Sequence, residues 1–212
     1  MPTTTAIRRR AVSDLKRTLI LDAARAVFEA EGLEGASLRG IAAKAGYTPA
    51  ALYFHFDSKE AIYAAVLAGS LDRLNAHVAA SIASAKTPAQ RFASASLAWF
   101  GYYAQNPNDL DLGFYLFRGG LKPRGLGRDR DEALNAALES SLAPIAQAAR
   151  DMGASPDEAR DIMAGVFAHA TGLLTLAHTG RTRRLKVNPI ALMTQYVTAN
   201  LATLAAHRSK SK

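Results

Sequence analysis

Apolar residues recur along this chain at helical spacing, and nowhere do they alternate as a half-buried strand requires. From about Ser13 to Glu31 the positions Leu15, Leu19, Ile20, Ala23, Val27 and Phe28 share one face of a helix that Gly32 should end. A longer helix opens at Lys59 and carries Ile62, Val66, Leu67, Leu71, Leu74, Val78 and Ile82, reaching about Ala85. Thr87-Pro88 joins a capping hydroxyl to a ring whose φ suits the first helical turn, which predicts a helix through Phe92, Trp99, Phe100 and Tyr103. Asn106-Pro107-Asn108 interrupts it, and the short apolar helix LDLGFYLF follows. The glycine-rich basic stretch RGGLKPRGLGR reads as a loop before a helix from about Asp129 to Met152, in which Pro144 removes a backbone donor and predicts a kink. Ser155 and Glu158 form a capping box around Pro156 and start a helix to about His178. Asn188-Pro189 starts the last one, through Ile190, Met193, Tyr196, Val197, Leu201 and Leu204. The pattern predicts an all-α fold of about nine helices.

The window SLRGIAAKAGYTPAALYFHFDSKE, from Ser37 to Glu60, departs from this run of long helices. Ser37 can cap a short helix from Leu38 to about Ala45, and Gly46 suits the left-handed conformation that closes it. Thr48 followed by Pro49 is a second start signal within a few residues. Ile41, Ala42, Tyr47 and Leu52 supply an apolar inner side, with the small Ala42 allowing the two helices to approach. Thr48, Pro49, Ala50, Tyr53 and His55 are left for the outside, while Asp57 and Ser58 can cap the helix that begins at Lys59 and Glu60. A lysine at a helix N-terminus opposes the helix dipole, so Lys59 is expected to serve an external anion such as a phosphate. A plain helical hairpin, with Gly46 only a cap and LYFHF only core, is the alternative. The coincidence of cap, turn and second cap in one window favours a helix-turn-helix that places its second helix in the DNA major groove.

AGYTPAALYFHFDSKE, preceded by RTLILDAARAVFEAEGLEGASLRGIA, closely resembles the N-terminal head of the tetracycline-repressor (TetR) family of bacterial regulators. The resemblance implies a three-helix DNA-binding head over residues 1–58, followed by a larger helical effector-binding and dimerisation domain over 59–212. On the matching positions, Thr48 caps the recognition helix, Tyr53 and His55 sit where the family contacts phosphates, and Lys59 sits where the next helix start grips the backbone. Arg39 matches a position used for base or phosphate contact, and a guanidinium can engage a guanine edge in bidentate fashion. The family commonly has Gly-Thr ahead of the Leu-Tyr pair, whereas this chain has Ala50-Ala51. One phosphate-binding hydroxyl is thereby lost, and methyl groups suited to a thymine C5-methyl take its place.

The net charge of +8 suggests a nucleic-acid partner, but its distribution changes that inference. Residues 1–60 carry nine basic and seven acidic groups, whereas 181–212 carry seven and none. Within the head the excess is concentrated before the first helix, at Arg8, Arg9, Arg10, Lys16 and Arg17, which reads as a basic arm able to follow DNA or enter a minor groove. The basic C-terminal segment has no place in this reading. Cys is absent, which excludes disulfides, thiolate nucleophiles and zinc fingers. No apolar run approaches a membrane span, no signal-like segment opens the chain, and a cytoplasmic protein without cofactors is expected. The five histidines form no helical i, i+4 metal pair, and no HExxH, GxSxG or phosphate-loop motif occurs, so an enzyme is disfavoured. A nonspecific architectural nucleic-acid binder is the other alternative.

The resemblance further implies a homodimer and a small-molecule effector acting on a palindromic operator of double-stranded DNA. Small residues at Ala164, Gly165, Ala168 and Gly172, with Met193, Tyr196, Val197 and Leu201 on the last helix, suit a four-helix dimer seam. The aromatic positions Trp99, Phe100, Tyr103, Phe114, Phe117 and Phe167, with Arg118 and His169 as polar anchors, are candidates for an effector cavity.

Overall fold

The computed structural model describes the backbone of residues 4–114 and 125–210 and the side chains of residues 6–114 and 125–206. Among the described residues every element is a helix: α1 Thr4–Gly35, α2 Leu38–Ala45, α3 Pro49–Tyr53, α4 Lys59–Ile82, α5 Pro88–Gln105, α6 Pro107–Gly113, α7 Arg128–Asp151, α8 Pro156–His178, α9 Arg181–Leu185 and α10 Pro189–Lys210. Two compact units result, Met1–Ser70 with Asn108–Leu134, and Leu71–Pro107 with Asn135–Lys212.

Helix α4 is one unbroken helix, and its opening turns are buried in the first unit. Tyr63 packs edge-on against Phe28 of α1 at 4.8 Å and donates its hydroxyl to the Leu112 carbonyl of α6 at 2.7 Å. Arg25 of α1 forms an ion pair with the buried Asp109 of α6, so α6 is tied to the head by both apolar and charged contacts.

In this first unit, Ile20, Ala24, Val27 and Phe28 of α1 are buried together with Ile41, Ala42, Leu52, Phe56 and Ile62. Gly32 interrupts α1 at φ 69°, where the sequence placed the helix end, and a last short turn continues to Gly35. Two expectations about α1 are corrected. The basic arm is helical, with Arg8, Arg9 and Arg10 exposed on its first turns. Leu15 and Leu19 are 61% and 46% exposed, because residues 6–19 extend past the helices that cover α1 from Ile20 onward.

In the second unit α5, α8 and α10 pack on one another. Trp99 of α5 stacks edge-on against Tyr103 and Phe167, and its indole N–H donates to the Ser141 hydroxyl of α7 at 3.1 Å. Helix α7 runs on through Pro144. Two capping boxes hold the helix starts that the sequence marked, Thr87 with Gln90 and Ser155 with Glu158. The five-residue helix α9 was not foreseen.

Candidate nucleic-acid interface

Local hydrogen bonds build the α2–α3 unit. The Ser37 hydroxyl accepts from the Gly40 N–H at 3.0 Å, and Gly46 closes α2 in the left-handed region at φ 74°. A side chain there would be strained, which is why the turn carries glycine. Two residues later the Thr48 hydroxyl accepts from the Ala51 N–H at 3.3 Å, and Pro49 opens α3 without spending a backbone donor. Ile41, Ala42 and Leu52 are buried beneath the pair.

What this scaffold leaves outward is an uncharged helix face. Thr48, Pro49, Ala50 and Tyr53 are exposed, His55 is half-buried, and Arg39 is exposed on α2 with no ion pair among the described residues. Phe54, which sequence reasoning did not single out, is 88% exposed. Its signal was present: Leu52 and Phe56 point inward four residues apart, so the aromatic residue between them must point away. An aromatic ring held in water beside Tyr53 offers apolar contact to a sugar or a thymine methyl.

Charge around α3 is arranged by intramolecular partners. Lys59, expected to be free for a phosphate, directs its ammonium to the Ala36 carbonyl at 3.1 Å and thereby ties the start of α4 to the segment before α2. A lysine has three donors, so two remain. Of the two residues expected to cap α4, Ser58 performs that role by accepting from the Ala61 N–H at 3.1 Å, and Asp57 does not. The Asp57 carboxylate instead holds Arg130, with both oxygens 2.8 Å from one guanidinium nitrogen. This pairing neutralises an exposed acid that would otherwise repel a phosphate backbone.

The residues considered for an effector cavity do not share one surroundings. Trp99, Phe100 and Tyr103 are buried in the core of the second unit, and burial, reinforced by neighbouring Tyr102, pushes the Tyr103 phenol well above its usual range. Phe167 is packed on Trp99, whereas Phe114 is half-buried in the first unit. Phe117 and Arg118 lie outside the described residues. His169 of α8 is stacked on Tyr196 of α10 with ring centroids 4.0 Å apart, and its buried Nε2 has no hydrogen-bond partner among the described residues.

Of the dimer-seam positions, Ala164, Ala168 and Gly172 form an exposed row along α8. Gly165 lies against α10, where an added Cβ would stand 2.8 Å from the Tyr196 hydroxyl. Tyr196 and Leu201 are half-buried, but Met193 and Val197 are buried within the chain itself. The latter two are therefore core residues of the second unit, because the inward face of α10 is covered by its own α5 and α8.

Residues 20–66, which contain α2, α3 and the start of α4, match the profile of the bacterial regulatory proteins of the tetR family. Over 59 residues the chain is 44% identical to the HTH-type transcriptional repressor KstR2 of Rhodococcus jostii, a match covering 28% of this chain and 29% of that one. It is 50% identical over 52 residues to the HTH-type transcriptional regulator SrpR of Pseudomonas putida, covering 24% of each. The match thus spans less than a third of the length of either of these relatives. Solved structures extend the likeness in fold beyond the head. A bacterial regulatory protein in the tetR family from Rhodococcus RHA1 superposes with a TM-score of 0.68 at 18% identity, covering 89% of this chain and 96% of that one. The regulator FadR from Bacillus subtilis, solved in complex with stearoyl-CoA, gives 0.65 at 18% identity over 85% and 95%. The head of the chain, over residues 20–66, is thus similar to the tetR family of bacterial regulatory proteins.

Proposed function

We propose that this chain is a ligand-responsive transcriptional repressor that binds a palindromic operator as a homodimer. The observation that carries the reading is α3, a helix capped by Thr48, held from beneath by Leu52 and presenting Thr48, Pro49, Ala50 and Tyr53 to the outside. A short helix with one buried anchor and an uncharged outer face can enter a major groove and leave affinity to surrounding cations. Arg39 reads a base edge, and the two unspent donors of Lys59 reach a phosphate. Tyr53 and His55 contact the backbone, while Arg8, Arg9 and Arg10 add sequence-independent attraction from the helical arm.

Dimerisation through α8 and α10 is supported by the row of Ala164, Ala168 and Gly172, which permits close helix approach, together with the half-buried Tyr196 and Leu201. The aromatic core of the second unit, with Trp99, Phe100, Tyr103 and Phe167, suits a largely apolar effector, and the stearoyl-CoA in the FadR complex is consistent with that class. Selection from random duplex DNA, followed by footprinting around the protein's own gene, tests the reading. The expected product is an inverted repeat with half-site centres about 34 Å apart or a multiple of that spacing. A pool in which no sequence is enriched would refute it.

A further inference from the structure

The C-terminal basic segment has a structured core, the corner where α8 turns into α9 and on to α10. Gly180 takes φ 72° to leave α8, and Lys186 takes φ 54° to leave α9. Lys186 is the non-glycine residue with positive φ among the described residues, so the turn is held in a conformation that L-residues avoid. Thr182 is buried and pins the turn, and its carbonyl accepts from the Val187 N–H at 3.1 Å. Everything else on α9 is thrown outward. Leu185 is 62% exposed, Val187 and Ile190 are also exposed, and Arg181, Arg183, Arg184 and Lys186 surround them.

None of these four cations takes part in an ion pair among the described residues. The stretch that carries them holds no acidic side chain of its own, since none stands between Asp161 and Lys212. Between the end of α8 and α9 lies a half-open concavity of about 540 Å³, lined by Leu176, Thr179, Gly180, Arg181, Arg184 and Leu185. Its volume falls in the range of small-molecule sites. Two guanidinium groups stand at a wall made of two leucines. Guanidinium forks match the oxygens of a carboxylate or phosphate, and leucine side chains gain by covering a hydrocarbon chain.

We propose that this corner is a binding site for an organic anion with an apolar tail, an alkyl carboxylate or alkyl phosphate, with Arg181 and Arg184 holding the head group and Leu176 and Leu185 the first methylenes. A nucleic-acid backbone would satisfy the cations but leave Leu185, Val187 and Ile190 in water. A second copy of the corner would bring cation against cation.

The test is calorimetric titration of the full chain with monomeric dodecyl phosphate, with inorganic phosphate as the head group alone. Dodecyl phosphate is expected to bind at least about tenfold tighter than inorganic phosphate, and Arg181→Gln with Arg184→Gln to weaken it by about tenfold or more at unchanged melting temperature. Arg181→Lys with Arg184→Lys, which keeps the charge but loses the fork, should fall between. Leu185→Ser should weaken dodecyl phosphate while leaving inorganic phosphate unaffected. Absence of binding, or binding indifferent to the arginine pair, overturns the proposal. So does a double Gln variant that loses affinity only for random duplex DNA, that changes only the sedimenting mass, or that loses only attachment to anionic phospholipid vesicles. Those outcomes would assign the corner to nucleic acid, to a second copy or to a lipid surface.

Discussion

Helices α3 and α9 are both five residues long, and each is held by one buried side chain, Leu52 in the first and Thr182 in the second. They are made differently. Helix α3 begins with a hydroxyl cap and a proline and follows a glycine turn, so its start is written into the residues. Helix α9 begins at a glycine without any side-chain cap bond and ends at a lysine in the left-handed region. The first is stabilised by local hydrogen bonds and displays an almost uncharged face, while the second displays cations on a strained turn. A short helix can thus be specified by its own sequence or imposed by the elements around it.

Removing the anchor of α3 should break the comparison most severely. Leu52→Ala is expected to cost about 2–5 kcal/mol, since Leu52 is 1% exposed and its loss leaves a cavity. Denaturant unfolding followed by circular dichroism would register it, together with loss of DNA binding. Arg39→Ala should relax discrimination at one operator position by about 1–3 kcal/mol without altering the melting temperature. Competition with single-site operator variants measures this, and equal losses on operator and random DNA would remove Arg39 from base readout.

Thr48→Ala tests whether α3 is locally specified, with an expected loss of about 1 kcal/mol that Thr48→Ser should largely avoid. Lys59→Met should weaken binding to all sequences and flatten the salt dependence. Because its ammonium also holds the Ala36 carbonyl, it should further lower stability by about 0.5–1.5 kcal/mol. An unchanged melting temperature would mean that the internal bond contributes nothing in solution. The smallest expected effect has the opposite sign. Lys186→Gly relieves a left-handed conformation worth about 1–2 kcal/mol, but adds freedom to the unfolded chain, leaving a net gain of about 1 kcal/mol or less. Thermal unfolding should show a rise, and a fall would mean that α9 draws on the lysine side chain for support.

The candidate interface was more legible than the body for a physical reason visible in particular residues. Ser37, Gly46, Thr48 and Ser58 act on backbone groups within four residues of themselves, so their roles can be read along the chain. Leu15 and Leu19 share a helical periodicity with Ile20, yet they are exposed and Ile20 is fully buried. Periodicity identifies an apolar face but not the element that covers it. Met193 and Val197 teach the same lesson in reverse, since the seam residues expected to meet a partner are covered by the chain's own α5 and α8.

The sequence by itself determined that the chain is helical, where most helices start and stop, and that the residues around Ser37 to Glu60 form two short helices about a glycine turn. Those outcomes rest on caps, prolines and glycines, whose energetics are local. Tertiary structure alone decided that Lys59 is tied to Ala36 and that Asp57 is matched by Arg130 from far along the chain. It also decided that Phe54 stands in solvent and that α9 exists at all. These depend on which distant groups arrive nearby once the core has closed, and no spacing within a single helix encodes that.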